Sequence, residues 1–120
     1  MFQSKGFLKY MYDLFPECPY LLQTDFQPLE GVKQVRKPFF GREGANTAII
    51  EENGTVVEET GGEYENYPVV YQEFAQMPED KEGSRYQAGL FYGNEAVALA
   101  YRKGGLILDN LSKFVGHRLI

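Results

Sequence analysis

The chain is short of the residues on which much protein chemistry depends: it has one cysteine, one histidine and no tryptophan. A lone Cys18 cannot form an internal disulfide, which fits a reducing compartment. With His117 it cannot make the clustered ligand set of a transition-metal site. Cys18 sits in "PECP" beside Glu17, whereas an activated thiol needs a base. No apolar run approaches the roughly 20 residues that span a bilayer. The start, "MFQSKGFLKYMYDLF", lacks the apolar core and small-residue cleavage site of a signal peptide, so none is expected. Gly-x-Ser-x-Gly and dinucleotide fingerprints are missing, and "GREGAN" lacks the Lys and Ser/Thr of a phosphate loop.

What the chain does have is apolar and aromatic content, 43% hydrophobic with nine Phe and nine Tyr in 120 residues. That is enough for one core, so a single folded domain over 1–120 is expected. The net charge of −5 is strongly segregated. Residues 1–42 carry a balance of +2, residues 43–82 of −10, and residues 83–120 of +3. An acidic block of this kind is either splayed into solvent or turned toward a basic partner.

Ser4 can cap an opening helix whose apolar face is Phe7, Leu8, Met11, Leu14 and Phe15, and Pro16 stops it. "LLQTDF" and "KQVRK" each fit a short strand. An antiparallel meander then follows. Asn53-Gly54 reads as a type I′ turn joining strands near 47–52 and 55–60, and "YPVVYQEF" is a further strand with Pro68 at its start. A second hairpin, 85–102, turns at Gly93-Asn94. Its two-residue turn sets Leu90 against Val97, Ala88 against Leu99 and Tyr86 against Tyr101, which reads as a strong core face. The reverse face carries Gly89, Phe91, Ala96, Ala98 and Ala100, small enough for another layer to approach. A short strand, Leu106 to Leu108, precedes a final helix capped by Asp109 or Asn110, with Leu111, Phe114, Val115 and Leu119 inward and His117 near its end. The expected fold class is α+β: an antiparallel sheet of about five or six strands, containing two hairpins, with an N-terminal and a C-terminal helix packed on it.

The stretch 47–67 holds six glutamates: Glu51, Glu52, Glu58, Glu59, Glu63 and Glu65. The Asn-Gly register makes Glu51 and Glu58 diagonal neighbours, roughly 7–8 Å apart, inside the roughly 6.5–9.5 Å of an inverting glycosidase pair. A general acid also needs burial or a charged neighbour, and nothing at an exposed hairpin tip requires either. "EENGTVVEE" lacks the offsets of a calcium loop. No catalytic or metal residue and no cofactor is therefore assigned, and the expectation is a non-enzyme. The acidic hairpin is expected to be a surface for contact or repulsion.

Its counterpart is "VKQVRKPFFGR", with Lys33, Arg36, Lys37 and Arg42 around Phe39 and Phe40. Basic residues beside aromatics suit single-stranded nucleic acid, but the patch is short and the chain acidic, so no sequence-specific nucleic acid is expected. Basic and acidic segments on one chain can instead be complementary faces of identical subunits in a ring.

The opening "FLKYMYDLFPECPYLL" and the later "YENYPVVYQEF" resemble small tail-completion (tail terminator) proteins of long-tailed bacteriophages. The resemblance implies a virion component made in the host cytoplasm. The resemblance further implies a homo-oligomeric ring, a hexamer, that meets other virion proteins around a passive DNA channel, with no membrane involved. The alternative is a cytoplasmic inhibitor or immunity-type protein whose acidic face masks a basic partner.

Overall fold

The computed structural model describes residues 3–118, which divide after Ala75 into two compact units. In the first unit a single helix, α1 (Phe7–Leu14), precedes five strands: β1 (Thr24–Asp25), β2 (Gln34–Pro38), β3 (Ala48–Ile50), β4 (Val56–Glu59) and β5 (Val69–Glu73). The helix lies where its apolar spacing put it, with Gly6 rather than Ser4 as N-cap. Ser4 Oγ instead accepts from the Gly6 amide at 3.3 Å. The helix ends at Phe15, whose amide donates to Met11 O, because Pro16 follows. No α1 residue is fully buried; Tyr10 meets the edge of Phe26 at 5.8 Å.

The strands are antiparallel in the order β1-β5-β2-β3-β4. This is not the expected simple meander: β5 crosses back and inserts between β1 and β2. The core sits where these strands meet. Ile49 and Val70 are almost wholly buried, joined by Ala48 and Leu29. Gln34 is buried too, and its amide spans the loop before β2, accepting from Leu29 N and donating to Leu29 O, both at 2.8 Å. That loop keeps its polar groups satisfied without a strand partner.

The β3–β4 hairpin corrects the expected turn. Asn53 does not have positive φ, while Gly54 does (φ 84°), and the Gly54 amide donates to Glu51 O at 2.9 Å. This is a three-residue loop, 52–54, closed by Glu51 N to Thr55 O, with glycine in the left-handed position. A two-residue Asn53-Gly54 turn would set Ile49 against Glu58 and Glu51 against Val56, and Ile49 does face Glu58. A register shift between Ile49 and Ile50 then sets Ile50 against Val56, so Glu51 no longer faces Val56.

The second unit is a three-stranded antiparallel sheet, β6 (Arg85–Tyr92), β7 (Ala96–Gly104) and β8 (Lys113–Val115), in that order. Its hairpin turns through 93–95, with Gly93 N donating to Glu95 O, so Leu90 pairs with Leu99 and Ala88 with Tyr101. The pairing differs by two residues from a two-residue turn, and an even slip preserves the two faces. The expected core face is nevertheless largely exposed.

Two further expectations fail here. Residues 106–108 form no strand, and among the described residues no C-terminal helix is formed. Asp109 does cap, accepting from Leu111 N and Ser112 N, but it caps one turn. Lys113–Val115 then extends along β7, as Phe and β-branched Val favour. Leu111 and Phe114, expected inside, are exposed, and Leu119 lies outside the described residues. His117 sits at no helix end but edge-on to Tyr101 at 5.2 Å. The described chain is thus mostly sheet, with one short helix, rather than two terminal helices on one sheet. No described helix is long and apolar enough to cross a membrane.

Candidate functional site

Strand β2 carries the basic segment and distributes it into two kinds of environment. Lys33, just before the strand, pairs with Glu51 Oε1 at 2.7 Å and lies over the Phe74 ring. Arg36 pairs with Glu59 across β3, in the row Arg36–Ala48–Glu59. The basic and acidic segments therefore meet within one chain.

Lys37 behaves differently. Its ammonium donates to Gln72 Oε1 at 2.7 Å, and Gln72 Nε2 donates in turn to Thr24 Oγ1 at 3.1 Å. Thr24 and Gln72 are buried, so this relay holds the lysine head in a fixed place. Burial, and secondarily the charge of Lys5, lowers the Lys37 pKa from 10.5 to about 8. Burial also lowers that of Lys5, whose ammonium donates to Gly41 O and whose amide donates to Phe39 O at 2.8 Å. Among the described residues, neither lysine has a carboxylate within ion-pair distance.

The loop after β2 meets Lys5 through Phe39 O and Gly41 O. Phe39 is half-buried, its ring 5.5 Å from Phe26 and close against Gly6, where a methyl group would collide with it. Phe40 is exposed and edge-on to Tyr67. A side chain at Gly41 would strike the Pro38 ring. Beyond it Glu43, Gly44 and Asn46 all have positive φ, at 52°, 72° and 51°. Glu43 held left-handed costs on the order of 1–2 kcal/mol, whereas Asn46 adopts that region readily, and strain of this kind concentrates at functional loops. The loop is tied down by Asn46, whose side-chain oxygen accepts from Tyr64 N at 2.8 Å and whose amide donates to Gly61 O. Gly41 and exposed Arg42 line an open cleft of about 510 Å³ with Gln3, Phe40 and Tyr64.

The glutamates do not converge with these cations. Glu51 and Glu59 are neutralised by Lys33 and Arg36. Glu52 and Glu63 are exposed, and Glu58 is half-buried on β4. Glu65 lies with Glu59, Arg36, Tyr64 and Tyr71 along a separate groove of about 630 Å³. Among the described residues no three Cys, His, Asp or Glu side chains gather as a metal site would require.

Sequence reasoning missed Lys5, Thr24, Gln72 and Asn46 as parts of one place. Lys5 is 36 residues from Gly41, and no local pattern joins them. The readable signal was "KPFFGREGAN": a lysine entering a loop with two glycines. The lysine precedes the glycines, where the phosphate-loop pattern puts it after them.

Comparison with known proteins bears directly on this segment. The model of the glutathionylspermidine synthase preATP-grasp family matches residues 1–120. The trypanothione synthetase of Crithidia fasciculata is 27% identical over 97% of this chain and 18% of its own length. The bifunctional glutathionylspermidine synthetase/amidase of Escherichia coli is 31% identical over 62% of this chain and 13% of its own. A putative acid–amine ligase of Haemophilus influenzae is 34% identical over 65% and 22%, respectively. The chain thus spans about a fifth of the length of the curated relatives it matches. These matches overturn the likeness to phage tail-completion proteins, and with it the virion location and the non-enzymatic assembly role; the masking-inhibitor alternative falls as well. The short amphipathic helix, Cys-Pro turn and aromatic strand behind that likeness are elements that unrelated sheets share. Over its whole length the chain belongs to the glutathionylspermidine synthase preATP-grasp family.

Proposed function

We propose that this chain is part of an ATP-dependent ligase that joins a carboxyl group to an amine, and that Lys5 and Lys37 receive the phosphate-bearing substrate. The names of the relatives speak of synthetases and of an acid–amine ligase, and the family name of the preATP-grasp part of a glutathionylspermidine synthase. Forming an amide from a carboxylate and an amine in water must be driven. ATP drives it when a carboxylate oxygen takes the terminal phosphoryl group with departure of ADP; the amine nitrogen then displaces phosphate from the acyl carbon. Such chemistry is carried largely by fixed positive charge around phosphoryl oxygens. A ligase of this kind works where ATP is, inside the cell.

The observation that carries this reading is the unneutralised pair. Every other lysine that reaches into the first unit's sheet has a carboxylate: Lys9 meets Asp13 and Asp25, and Lys33 meets Glu51. Two partly buried ammonium groups near each other and without a counter-ion are costly. An anion placed between Lys37, Lys5 and the Gly41–Arg42 turn offsets that cost. The Thr24–Gln72 relay keeps Lys37 aimed while the site is empty.

Titration calorimetry of the chain with ATP, ADP and inorganic tripolyphosphate tests this. Binding is expected for all three polyphosphates and to weaken at least about tenfold in Lys37→Met. The pH dependence has a definite sign. Lys37 is charged below about 8, so affinity falls as pH rises through that value. In the empty protein the buried charge is a penalty that is full below about 8 and gone by 10.5, so Lys37→Met raises stability at neutral pH, by at most about 3 kcal/mol. Polyphosphate affinity unchanged in Lys37→Met and flat across pH 7–9 would sink the assignment.

A further inference from the structure

The second unit contains no buried hydrophobic side chain among the described residues. Its distal hairpin is apolar on both faces. On one, Leu90 pairs with Leu99; on the other, Phe91 pairs with Ala98. Leu90, Phe91, Tyr92 and Val97 are 57–72% exposed. Between Ala88 and Leu99 the one charged residue is Glu95.

The edges are open as well. Strand β6 lies at the border of its sheet, and β8 covers β7 only at 101–103. From 88 to 99 the chain is therefore a two-stranded ribbon with two free edges. Neither edge carries the proline, inward charge or lysine that blunts exposed strands. The single irregularity is the shift next to Tyr92, at the tip. An isolated two-stranded ribbon is at best marginally stable in water, and apolar surface of this extent marks an interaction site.

From this we infer that the 88–99 hairpin is a docking strand pair, covered by the polypeptide that makes up the remainder of a synthetase of this family. The inference rests on family membership and not on the phosphate reading. The curated relatives carry most of their length outside the part matched here, 82% for the Crithidia enzyme, whose matched share is 18%. That remainder is the chemistry the hairpin fits: strands that hydrogen-bond to the β6 and β7 edges, with apolar side chains over both faces. The surface differs from the apolar cleft of about 380 Å³ nearer the base of the same sheet. There, Pro78 and residues 115–117 already lie against Tyr86, Ala88 and Tyr101.

The test mixes the full chain with the Crithidia trypanothione synthetase lacking its matched segment, followed by sedimentation velocity and amide exchange. A one-to-one complex is expected, with exchange of amides 88–99 slowed at least about tenfold. The Leu90→Lys/Val97→Lys double variant, whose positions are exposed and whose folding is checked by circular dichroism, is expected to lose the complex. Three results would overturn the inference: no complex, a complex indifferent to the double variant, or a chain that dimerises alone through the same two positions.

Discussion

Residues 1–75 and 76–120 are built from strands of similar chemistry, yet they bury them differently. In the first unit a five-stranded sheet closes over Ala48, Ile49 and Val70, and even its buried polar groups Thr24, Gln34 and Gln72 are satisfied by one another or by backbone. In the second, Leu90, Val97 and Leu99 share a face as a sheet core should and remain in solvent. Alternation reports which side chains share a face; whether that face finds a cover depends on chain elsewhere. The most direct way to break the comparison is truncation at matched positions. Ile49→Ala is expected to cost about 2–4 kcal/mol, because a nearly inaccessible side chain leaves a cavity. Leu90→Ala in the same chain is expected to change stability by less than about 0.5 kcal/mol. Urea unfolding followed by tyrosine fluorescence measures both; equal losses would mean that the hairpin is covered after all.

The same contrast explains what could be read before the fold was known. The strands at 48–50, 56–59, 69–73 and 85–92 were legible because Val, Ile and Tyr alternate between Gly- and Pro-marked turns. The helix at 7–14 was legible from one apolar stripe and Pro16. Residues 111–119 misled because Leu111, Phe114 and Val115 match helical spacing over too few residues, with Gly116 behind them. A three-residue reach is shared by a short strand flanked by a capped turn, and pairing with β7 decided between them. The site was legible only in part. Lys37 and Arg42 stood out as charges, but what separates Lys37 from Lys33 and Arg36 is the absence of a carboxylate across the sheet. That absence is fixed by β5 inserting beside β2, a non-local pairing no window of sequence contains.

A middle-sized effect sharpens the contrast from the side of the second unit, whose order near its base depends on polar clamps. Asp80 accepts from Tyr86 Oη at 2.8 Å, from the amides of Ser84 and Glu82 at 2.9 Å each, and from Lys103 at 3.1 Å. Those bonds, with Tyr86 and Ser84 foremost, hold its pKa well below the ordinary 3.8. They hold that of Lys103 well above its ordinary value, with the Asp80 hydrogen bond foremost. The sign follows. A depressed carboxylate stabilises above the unfolded value of 3.8 and loses that contribution as pH falls below it. Asp80→Asn is expected to speed amide exchange at Glu82 and Ser84 several-fold near pH 6. As pH drops below about 3, the difference from the natural chain should shrink. A difference that persisted undiminished into acid would assign the clamp to shape alone.

The smallest expected effect belongs to the pairs that join the charged segments of the first unit. Arg36 and Glu59 are one-third to one-half exposed, as are Lys33 and Glu51. Surface pairs of that kind contribute about 0.2–1 kcal/mol and are screened by salt. They sit on a sheet whose register is already set by Ile49 and its neighbours, so they select no alternative fold. A double-mutant cycle of Arg36→Ala and Glu59→Ala is expected to give a coupling of about 0.5 kcal/mol at low ionic strength and close to zero in 1 M salt. The result matters for Lys37 on the same strand. If even the neutralised Arg36 adds so little, β2 does not carry its two cations, Arg36 and Lys37, for stability. Lys37, the cation of β2 without a carboxylate, is then the one whose placement the proposed anion accounts for.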